Sequence, residues 1–344
     1  MRKIGTTRSS ARTIDMKALV YTAEKEIRFR DEPAPEPGPG EVVVTVDAVG
    51  ICGSDMHAYL GHDPRRIPPL ILGHEAVGRV VDGPVAGSPM VINPLLTCGR
   101  CDDCQGGRAN LCEKREIIGM YRPGALAERV AVPTRNLIEI PEAMDPVHAA
   151  LTEPAATALH AVNLAAKMAH RPVSESRALV IGGGSVGLFA AMALEDQGAR
   201  EIHLAETNPL RRGAVGSTGA SQVFDPVSDP ARDSHFEIVI DAVGGKLSRQ
   251  AAIAAVRPGG VIMHIGLLDN DGGIDIRRMT LQEITLIGTY TYTPVDLRVT
   301  VNKLHSGAFG DLGWVEKRPL GDGARAFDDL LHGRTAAPKI VLCP

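Results

Sequence analysis

Four of the six cysteines in this chain of 344 residues lie within one short stretch, CGRCDDCQGGRANLC. They are Cys98, Cys101, Cys104 and Cys112, and their spacing lets one loop direct four thiolates at a single ion. A site of four cysteines is typical of structural zinc and is closed to substrate. The alternatives are a pair of redox disulfides or a reactive Cys-x-x-Cys, and a zinc finger that binds nucleic acid. We expect zinc, because 37 Lys+Arg against 41 Asp+Glu give no basic field and cysteine is scarce elsewhere.

A second set of residue types that bind metals is spread along the chain. Cys52 lies in GICGSDMHAY, His74 and Glu75 lie in GHEAVG, and Glu153 lies in LTEPAATALHAV. A thiolate, an imidazole and a carboxylate form a mixed set that leaves one zinc position open for water or substrate. Taken singly, Cys52 could be a small core residue, His74 a buried histidine and Glu153 a carboxylate at a helix N-terminus. Taken together, they predict a catalytic metal site.

The segment VIGGGSVG has the glycine spacing of a dinucleotide-binding turn, with an apolar run before it and a helical pattern after it. Glycines permit a tight turn and close approach of the backbone to a pyrophosphate, and the helix that follows offers unpaired N–H groups. The spacing alone is a weak signal, but its position between strand and helix strengthens it. The residues that we assign to the cofactor are Gly182, Gly184, Ser185, Val186, Gly187, Glu206 and Arg211.

Glu206 ends the next apolar stretch, REIHLAE, about where an acidic side chain should bind the ribose diol. A carboxylate there repels a 2'-phosphate, so the sequence predicts NAD rather than NADP. Arg211 and Arg212 follow closely and weaken this prediction. The alternative role for Glu206 is a solvated loop carboxylate.

Two kinds of sequence pattern indicate the structural elements that must position these residues. From Met16 to about Pro141 the chain has short β-type runs broken by turns, which predicts a compact β-barrel. From about Ser176, strands alternate with helical segments, which indicates βαβ units and a parallel sheet. The predicted fold class is therefore α/β, with two domains, since 344 residues are long for a single core.

Composition excludes some classes of protein. No stretch of eighteen apolar residues occurs, so we expect no membrane span. The opening MRKIGTTRSSARTID is basic and lacks an apolar segment, and we interpret residues 1–15 as a disordered extension or leader, with Met16 a possible start. Thiols arranged for metal, without an export signal, predict a cytoplasmic protein. We expect no nucleic acid partner and no membrane partner.

These motifs together resemble those of the zinc-dependent medium-chain dehydrogenases, and most of all the sorbitol/polyol branch, with L-idonate and threonine dehydrogenases as near relatives. The resemblance runs from Met16 to the C-terminus through GICGSD, GHE, the four-cysteine lobe, EPAATALHA and GGGSVG. It implies a GroES-like β-barrel catalytic domain from residues 16–155 and 291–344, with the structural-zinc lobe at about 94–115. A Rossmann doubly wound domain over residues 156–290 is implied between them. A homo-oligomer, either a dimer or a tetramer, is implied as well.

The resemblance also implies roles for single residues. Cys52 and His74 correspond to catalytic-zinc ligands, while Glu75 and Glu153 fill the carboxylate roles, and which of the two binds the ion directly stays open. Asp55 corresponds to the carboxylate that orients a zinc-bound histidine. Ser54 and His57 correspond to the proton-relay positions, although His57 could equally be a surface histidine.

The expected activity is the reversible oxidation of a secondary alcohol of a polyol, sugar or sugar acid to a ketone, with two zinc ions per chain and NAD. Glu153 stands where ordinary alcohol dehydrogenases of the family have a cysteine, which favours the polyol branch. Thr291 stands where sorbitol enzymes often carry an arginine, which makes sorbitol itself doubtful. The alternatives are an amino alcohol such as threonine, a simple alcohol, a zinc-free reductase of the same fold, or a dinucleotide sensor without enzymatic activity.

Overall fold

The computed structural model describes residues 15–344. The prediction for residues 1–15 lies outside this range apart from Asp15, at which the first strand begins. In residues 15–344, no helix is both long and apolar enough to cross a lipid bilayer.

The first part of the chain is built mainly from strands, several of which are buried along most of their length. Its strands, with the two that return from the end of the chain, are β1 (Asp15–Ala23), β2 (Glu26–Pro33), β3 (Glu41–Gly50), β4 (Leu70–Ile71), β5 (Glu75–Val80), β6 (Pro89–Ile92), β7 (Leu95–Leu96), β8 (Glu116–Ile117), β9 (Arg129–Pro133), β10 (Leu137–Glu139), β17 (Val315–Pro319) and β18 (Lys339–Cys343). A seven-stranded sheet runs β10-β6-β5-β3-β18-β17, with β9 also paired to β3, and a three-stranded sheet runs β2-β1-β4. The strands β7 and β8 form a separate pair on either side of the four-cysteine loop.

The second part of the chain forms a six-stranded parallel sheet. Its strands are β11 (Arg177–Ile181), β12 (Glu201–Ala205), β13 (Gln222–Phe224), β14 (Phe236–Asp241), β15 (Val256–His264) and β16 (Thr285–Gly288). Their order is β13-β12-β11-β14-β15-β16, which is the doubly wound order 3-2-1-4-5-6 of a dinucleotide-binding domain. The predicted fold class is confirmed, and β13 is the strand that the sequence patterns had not indicated.

Ten helices lie in the described range. They are α1 (Gly53–Tyr59), α2 (Asp102–Gln105), α3 (Pro146–Ala149), α4 (Thr152–Met168), α5 (Ser185–Asp196), α6 (Pro209–Gly216), α7 (Lys246–Ala255), α8 (Ile276–Leu281), α9 (Pro294–His305) and α10 (Gly323–Leu331). Helix α4 connects the two parts, because it packs on α5 and α9 and its buried side chains join a core shared by both sheets. The predicted domain boundary after residue 155 falls inside α4, and the boundaries stay predictions.

The connectivity brings three strand ends to one place. Strand β3 ends at Gly50, opposite Glu75 at the start of β5, and β18 pairs with the same end of β3 through Val341. Helix α1 begins immediately beyond β3, and the first turn of α4 carries the buried Glu153. Residues that are far apart in sequence therefore meet at this end of the seven-stranded sheet.

Candidate active site

Cys52, His74 and Glu75 come together at this meeting point. One ligand atom from each lies within 4.8 Å of the other two, and His74 and Glu75 are buried. Cys52 is the N-cap of α1, where its backbone N–H donates to Asp55 Oδ2 at 3.0 Å and fixes the start of the helix. A sulfur, a nitrogen and an oxygen donor in this arrangement fit a zinc ion with an open position.

The charges around His74 support a cation at this point. Burial alone would lower the pKa of His74, but its interactions with the Asp55 carboxylate and with Cys52 outweigh burial and hold the pKa well above its usual range. Asp55 Oδ1 lies 3.5 Å from His74 Nδ1, and neither atom has another hydrogen-bond partner within residues 15–344. The site therefore favours a positive charge, and zinc would replace the proton on His74.

Glu75 has an additional partner that the sequence analysis missed. Lys339, at the start of β18, is 2% exposed, and its Nζ donates to Glu75 Oε1 at 2.7 Å and Oε2 at 2.6 Å. The same Nζ donates to the carbonyl of Ile51, next to Cys52. The available signal was one lysine at the head of the apolar run KIVLC, with nothing to indicate its partner.

Glu153 is buried near these residues but lies outside the group of three ligand atoms. Burial raises its pKa to about 7, with His74 and Lys339 lowering it and Glu75 raising it. The Tyr292 hydroxyl faces Glu153 without a well-formed hydrogen bond, and burial together with Glu153 raises the pKa of Tyr292 well above its usual range. Its neighbour Thr291 has φ of 48°, a strained conformation of the kind often found at functional sites.

The predicted proton-relay residues both lie on α1. Ser54 Oγ accepts a hydrogen bond from Arg66 at 3.1 Å, and within residues 15–344 no hydrogen bond joins Ser54 to His57. His57 is half-buried, and burial together with the nearby His62 lowers its pKa. Arg66 is a second residue that spacing did not indicate, since it lies between the two ligand motifs in DPRRIPP.

The four predicted structural-zinc cysteines also meet, with their sulfur atoms within 4.8 Å of one another. Cys112 is buried and the other three are half-buried. Backbone N–H groups of Arg100 and Cys101 lower the pKa of the Cys98 thiol to about 6. Amide donors directed at a thiolate fit a closed metal site of four sulfurs.

The glycine turn links β11 to α5. Gly182 has φ of 101°, and a Cβ on Gly187 would stand 1.9 Å from the Gly182 carbonyl oxygen, so both positions require glycine. Gly184 is the N-cap of α5 and has open space beside it, and Ser185, Val186 and Gly187 follow as the first turn of the helix. This leaves the N-terminal N–H groups of α5 beside open space at Gly184, which is the arrangement by which such turns bind a pyrophosphate.

Glu206 follows β12 and is 6% exposed. Its carboxylate accepts hydrogen bonds from the backbone N–H groups of Gly183 at 2.9 Å and Asn208 at 2.7 Å, which fixes it beside the glycine turn. Arg211 lies 3.7 Å from Glu206, whereas Arg212 is held by the carbonyls of residues 206 and 207 and by Asp225. Gly183, which the spacing rule passes over, is thus part of the turn.

Comparison with known proteins agrees with this geometry. The sequence model of the alcohol dehydrogenase GroES-like domain matches residues 38–142, and that of the zinc-binding dehydrogenase domain matches residues 185–306. L-galactonate-5-dehydrogenase of Escherichia coli (strain K12) is 30% identical over 342 residues, which cover 95% of this chain and 98% of the relative. The chain belongs to the zinc-type medium-chain dehydrogenases.

Other members of this family are similar over their whole length. L-threonine 3-dehydrogenase of Stenotrophomonas maltophilia (strain K279a) is 30% identical, with 95% of this chain and 99% of the relative covered. A zinc-binding dehydrogenase from Sinorhizobium meliloti 1021, solved with NADP, has a TM-score of 0.85 at 29% identity, covering 96% and 100% of the chains. Acetophenone reductase from Geotrichum candidum NBRC 4597, in complex with NAD, has a TM-score of 0.86 at 26% identity, covering 96% and 97%.

Membership settles the general chemistry of this medium-chain dehydrogenase. It is a zinc- and NAD(P)-dependent alcohol dehydrogenase that acts on a small molecule. This excludes the dinucleotide sensor and the zinc-free reductase that the sequence analysis left as alternatives.

Proposed function

We propose that this enzyme oxidises a secondary alcohol group of a polyol, sugar or sugar acid to a ketone, with NAD as cofactor. The observation that carries the proposal is the group of the half-buried Cys52 with the buried His74 and Glu75, with the buried Glu153 beside it. The relatives named for L-galactonate and L-threonine support substrates with a hydroxyl group on a polar carbon chain. An amino alcohol such as threonine is the second candidate, because the identity to both relatives is 30%.

Cys52 and His74 would hold the catalytic zinc, with a carboxylate from Glu75 or Glu153. Glu75 is the carboxylate whose oxygen lies within the group of ligand atoms, although both of its oxygens also accept hydrogen bonds from Lys339, and Glu153 is the alternative ligand beside it. Zinc at this site supplies a Lewis acid that polarises the alcohol hydroxyl, and NAD supplies the hydride acceptor. The four cysteines of the lobe would hold the second, structural zinc.

The protein's own residues move the proton. Ser54, two residues after Cys52, would accept the proton of the substrate hydroxyl while it passes its own hydrogen outward. His57 lies one turn further along α1, and its lowered pKa keeps it neutral near pH 7 and able to receive a proton. Asp55 keeps His74 oriented during this transfer.

We also propose NAD as the preferred cofactor, a homo-oligomer, either a dimer or a tetramer, as the assembly, and the cytoplasm as the location. The preference for NAD rests on the fixed carboxylate of Glu206 beside the glycine turn. One of the two related structures was solved with NADP and the other with NAD. Similarity to these proteins therefore does not determine the cofactor preference, and the proposal depends on the residues of this chain.

A substrate panel tests the proposal directly. The protein, purified without chelator, is assayed with L-galactonate, L-idonate, sorbitol, galactitol, L-threonine and 2,3-butanediol, each with NAD and with NADP, by the absorbance of the reduced cofactor. We expect the highest kcat/KM for a sugar acid or polyol with NAD. A preference for L-threonine would select the second candidate, and turnover of 2,3-butanediol alone would contradict both.

A further inference from the structure

Arg66 contacts both the proton-relay residue and the residues behind the metal site, although it lies in neither motif. Its side chain is fully buried, with 0% exposure. Its Nε donates to the Gly119 carbonyl at 3.2 Å, and one terminal nitrogen donates to the Ser54 carbonyl at 3.0 Å and to Asp63 at 2.8 Å. The other terminal nitrogen donates to Ser54 Oγ at 3.1 Å and lies 3.6 Å from Asp55 Oδ1.

These contacts fix the guanidinium group in one orientation. Burying an arginine is costly unless its charge and its N–H groups are paired, and here Asp63 and Asp55 supply the negative charge. Asp63 also accepts hydrogen bonds from Arg65 at 2.8 Å and 3.0 Å, but Arg66 reaches Asp63 through its own donor and does not depend on Arg65 for that contact. The guanidinium group of Arg66 is therefore fixed in position, and it donates its hydrogen bond to Ser54 Oγ from one fixed direction.

The hydrogen bond from Arg66 constrains what the Ser54 hydroxyl can do. A serine hydroxyl has one hydrogen to donate and two lone pairs to accept with. Arg66 has no lone pair to offer and occupies one of the two on Ser54 Oγ, so the hydroxyl hydrogen must point away from it. The second lone pair stays free to accept a proton, and the nearby positive charge stabilises the oxygen while its own hydrogen is passed on.

We propose that Arg66 is a positioning residue that orients the Ser54 hydroxyl for proton transfer out of the active site. The inference rests on the proposed function, in which Ser54 accepts the proton of the alcohol. Arg66 acts through Ser54 and contacts neither the alcohol nor the cofactor in this role. Removing Arg66 should therefore harm turnover only while Ser54 keeps its hydroxyl.

A double-mutant cycle tests this. Ser54→Ala, Arg66→Gln and the double variant are compared with the parent for kcat and KM on the best alcohol of the panel, zinc per chain, and melting temperature. We expect Ser54→Ala to lower kcat roughly a hundredfold and Arg66→Gln at least about tenfold, with zinc retained and KM little changed. The double variant should be within about twofold of Ser54→Ala, since Arg66 then has nothing to orient.

Arg65→Gln is the matched control, because Arg65 also binds Asp63 but does not reach Ser54. It should keep kcat within about twofold of the parent. If Arg66→Gln does not fold, Arg66→Lys retains the charge without the planar group of donors, and its loss of kcat should likewise disappear in the Ser54→Ala background.

Two results would overturn the inference while leaving the proposed function intact. One is an equal fold-loss of kcat from Arg66→Gln with and without Ser54, and the other is loss of zinc from Arg66→Gln. Full turnover by Ser54→Ala would remove the relay and the role of Arg66 with it. A parent enzyme that oxidises no alcohol of the panel would instead contradict the proposed function.

Discussion

Single residues set the chemistry of both ends of this active site, and two of them can be tested directly. At the cofactor end, Glu206 is fixed by backbone N–H groups of Gly183 and Asn208, so it cannot move away from a 2'-phosphate without losing both. At the metal end, Lys339 is the cation that pairs with the buried Glu75. We expect Glu206 to influence which cofactor binds and Lys339 to influence whether the metal site forms.

Replacing Glu206 should change cofactor preference. We expect the parent to have a higher kcat/KM with NAD than with NADP, and Glu206→Ser to narrow or reverse the ratio by removing the carboxylate that repels the 2'-phosphate. Steady-state kinetics with both cofactors measure this. Arg211→Ser is the companion variant, because Arg211 is 3.7 Å from Glu206 and could bind that phosphate. A parent that prefers NADP would refute the assignment and implicate Arg211.

Replacing Lys339 should destabilise the protein. Lys339→Met leaves Glu75 buried and without its counter-charge, which costs about 3–5 kcal/mol of unfolding free energy. Urea unfolding followed by fluorescence measures the loss. The double variant Glu75→Leu with Lys339→Met should regain most of it, because no charge is then left unpaired. A stable Lys339→Met single variant would mean that Glu75 finds another partner.

At the scale of elements, the glycine turn and the cysteine lobe have different physical demands. In the turn, a Cβ at position 187 would collide with the Gly182 carbonyl, whereas a Cβ at position 184 would meet no protein atom within 4 Å. The lobe is a loop between the two-residue strands β7 and β8, with the small group of Leu95, Ile117 and Met120 as its core. So few apolar side chains supply little stability, and a metal ion is expected to supply the rest.

Changing Gly187 or Gly184 to alanine should therefore affect different properties of the protein. Gly187→Ala places a Cβ against backbone that cannot move cheaply and should lower the melting temperature of the cofactor-free protein. Gly184→Ala should leave that temperature nearly unchanged but weaken NADH binding, since its Cβ would enter the space for the pyrophosphate. Calorimetry and fluorescence titration with NADH separate the two effects. Equal stability loss in both variants would argue against this account.

The lobe predicts metal content. Protein purified without chelator should carry two zinc ions per chain by elemental analysis, and Cys101→Ser should lose one of them together with stability. We expect the variant that remains folded to retain measurable turnover, since the catalytic ligands are elsewhere. A Cys101→Ser protein as stable as the parent but inactive would show that the lobe is not structural.

Sequence patterns predicted those parts of the molecule that depend on neighbours along the chain. The parallel strands, the turn from Gly182 to Gly187 and the four-cysteine cluster all carry local signals, and the structure has them in place. Lys339 and Arg66 carried no such local signal. A buried charged residue can be recognised only together with the residue that it pairs with. The partner of Lys339 lies 264 residues away, and nothing in the local pattern pointed to it.

Across the whole molecule, buried carboxylates that pair with arginines set the tolerance to acid. Glu237 on β14 accepts hydrogen bonds from Arg177 on the neighbouring β11, at 2.8 Å to 3.1 Å, and from Arg257 at 2.8 Å. Burial opposes the ionisation of Glu237, but these hydrogen bonds outweigh it and lower its pKa to about 2. Its contribution is therefore complete above the ordinary glutamate value and is lost as pH falls from there toward 2.

Acid unfolding should reveal this contribution. We expect Glu237→Gln to be less stable than the parent at pH 7, and the difference in urea midpoint to shrink steadily between about pH 4.5 and pH 2.5. Release of zinc in acid affects both proteins alike, so the difference isolates Glu237. A gap that stays constant with pH would show that the residue acts by packing rather than by charge.

The contact between Glu75 and Lys339 also has a consequence for the order of events during synthesis. Lys339 is translated 264 residues after Glu75, a delay on the order of ten to fifty seconds at about 5–20 residues per second. The cysteine lobe is complete once Cys112 has left the ribosome, so it can take up metal while the rest of the chain is still being made. The catalytic pocket lacks its internal counter-ion until β18 joins β3. We therefore expect the two zinc ions to bind one after the other. The nascent chain binds zinc first at the cysteine lobe, and the catalytic site binds zinc only after translation is nearly finished.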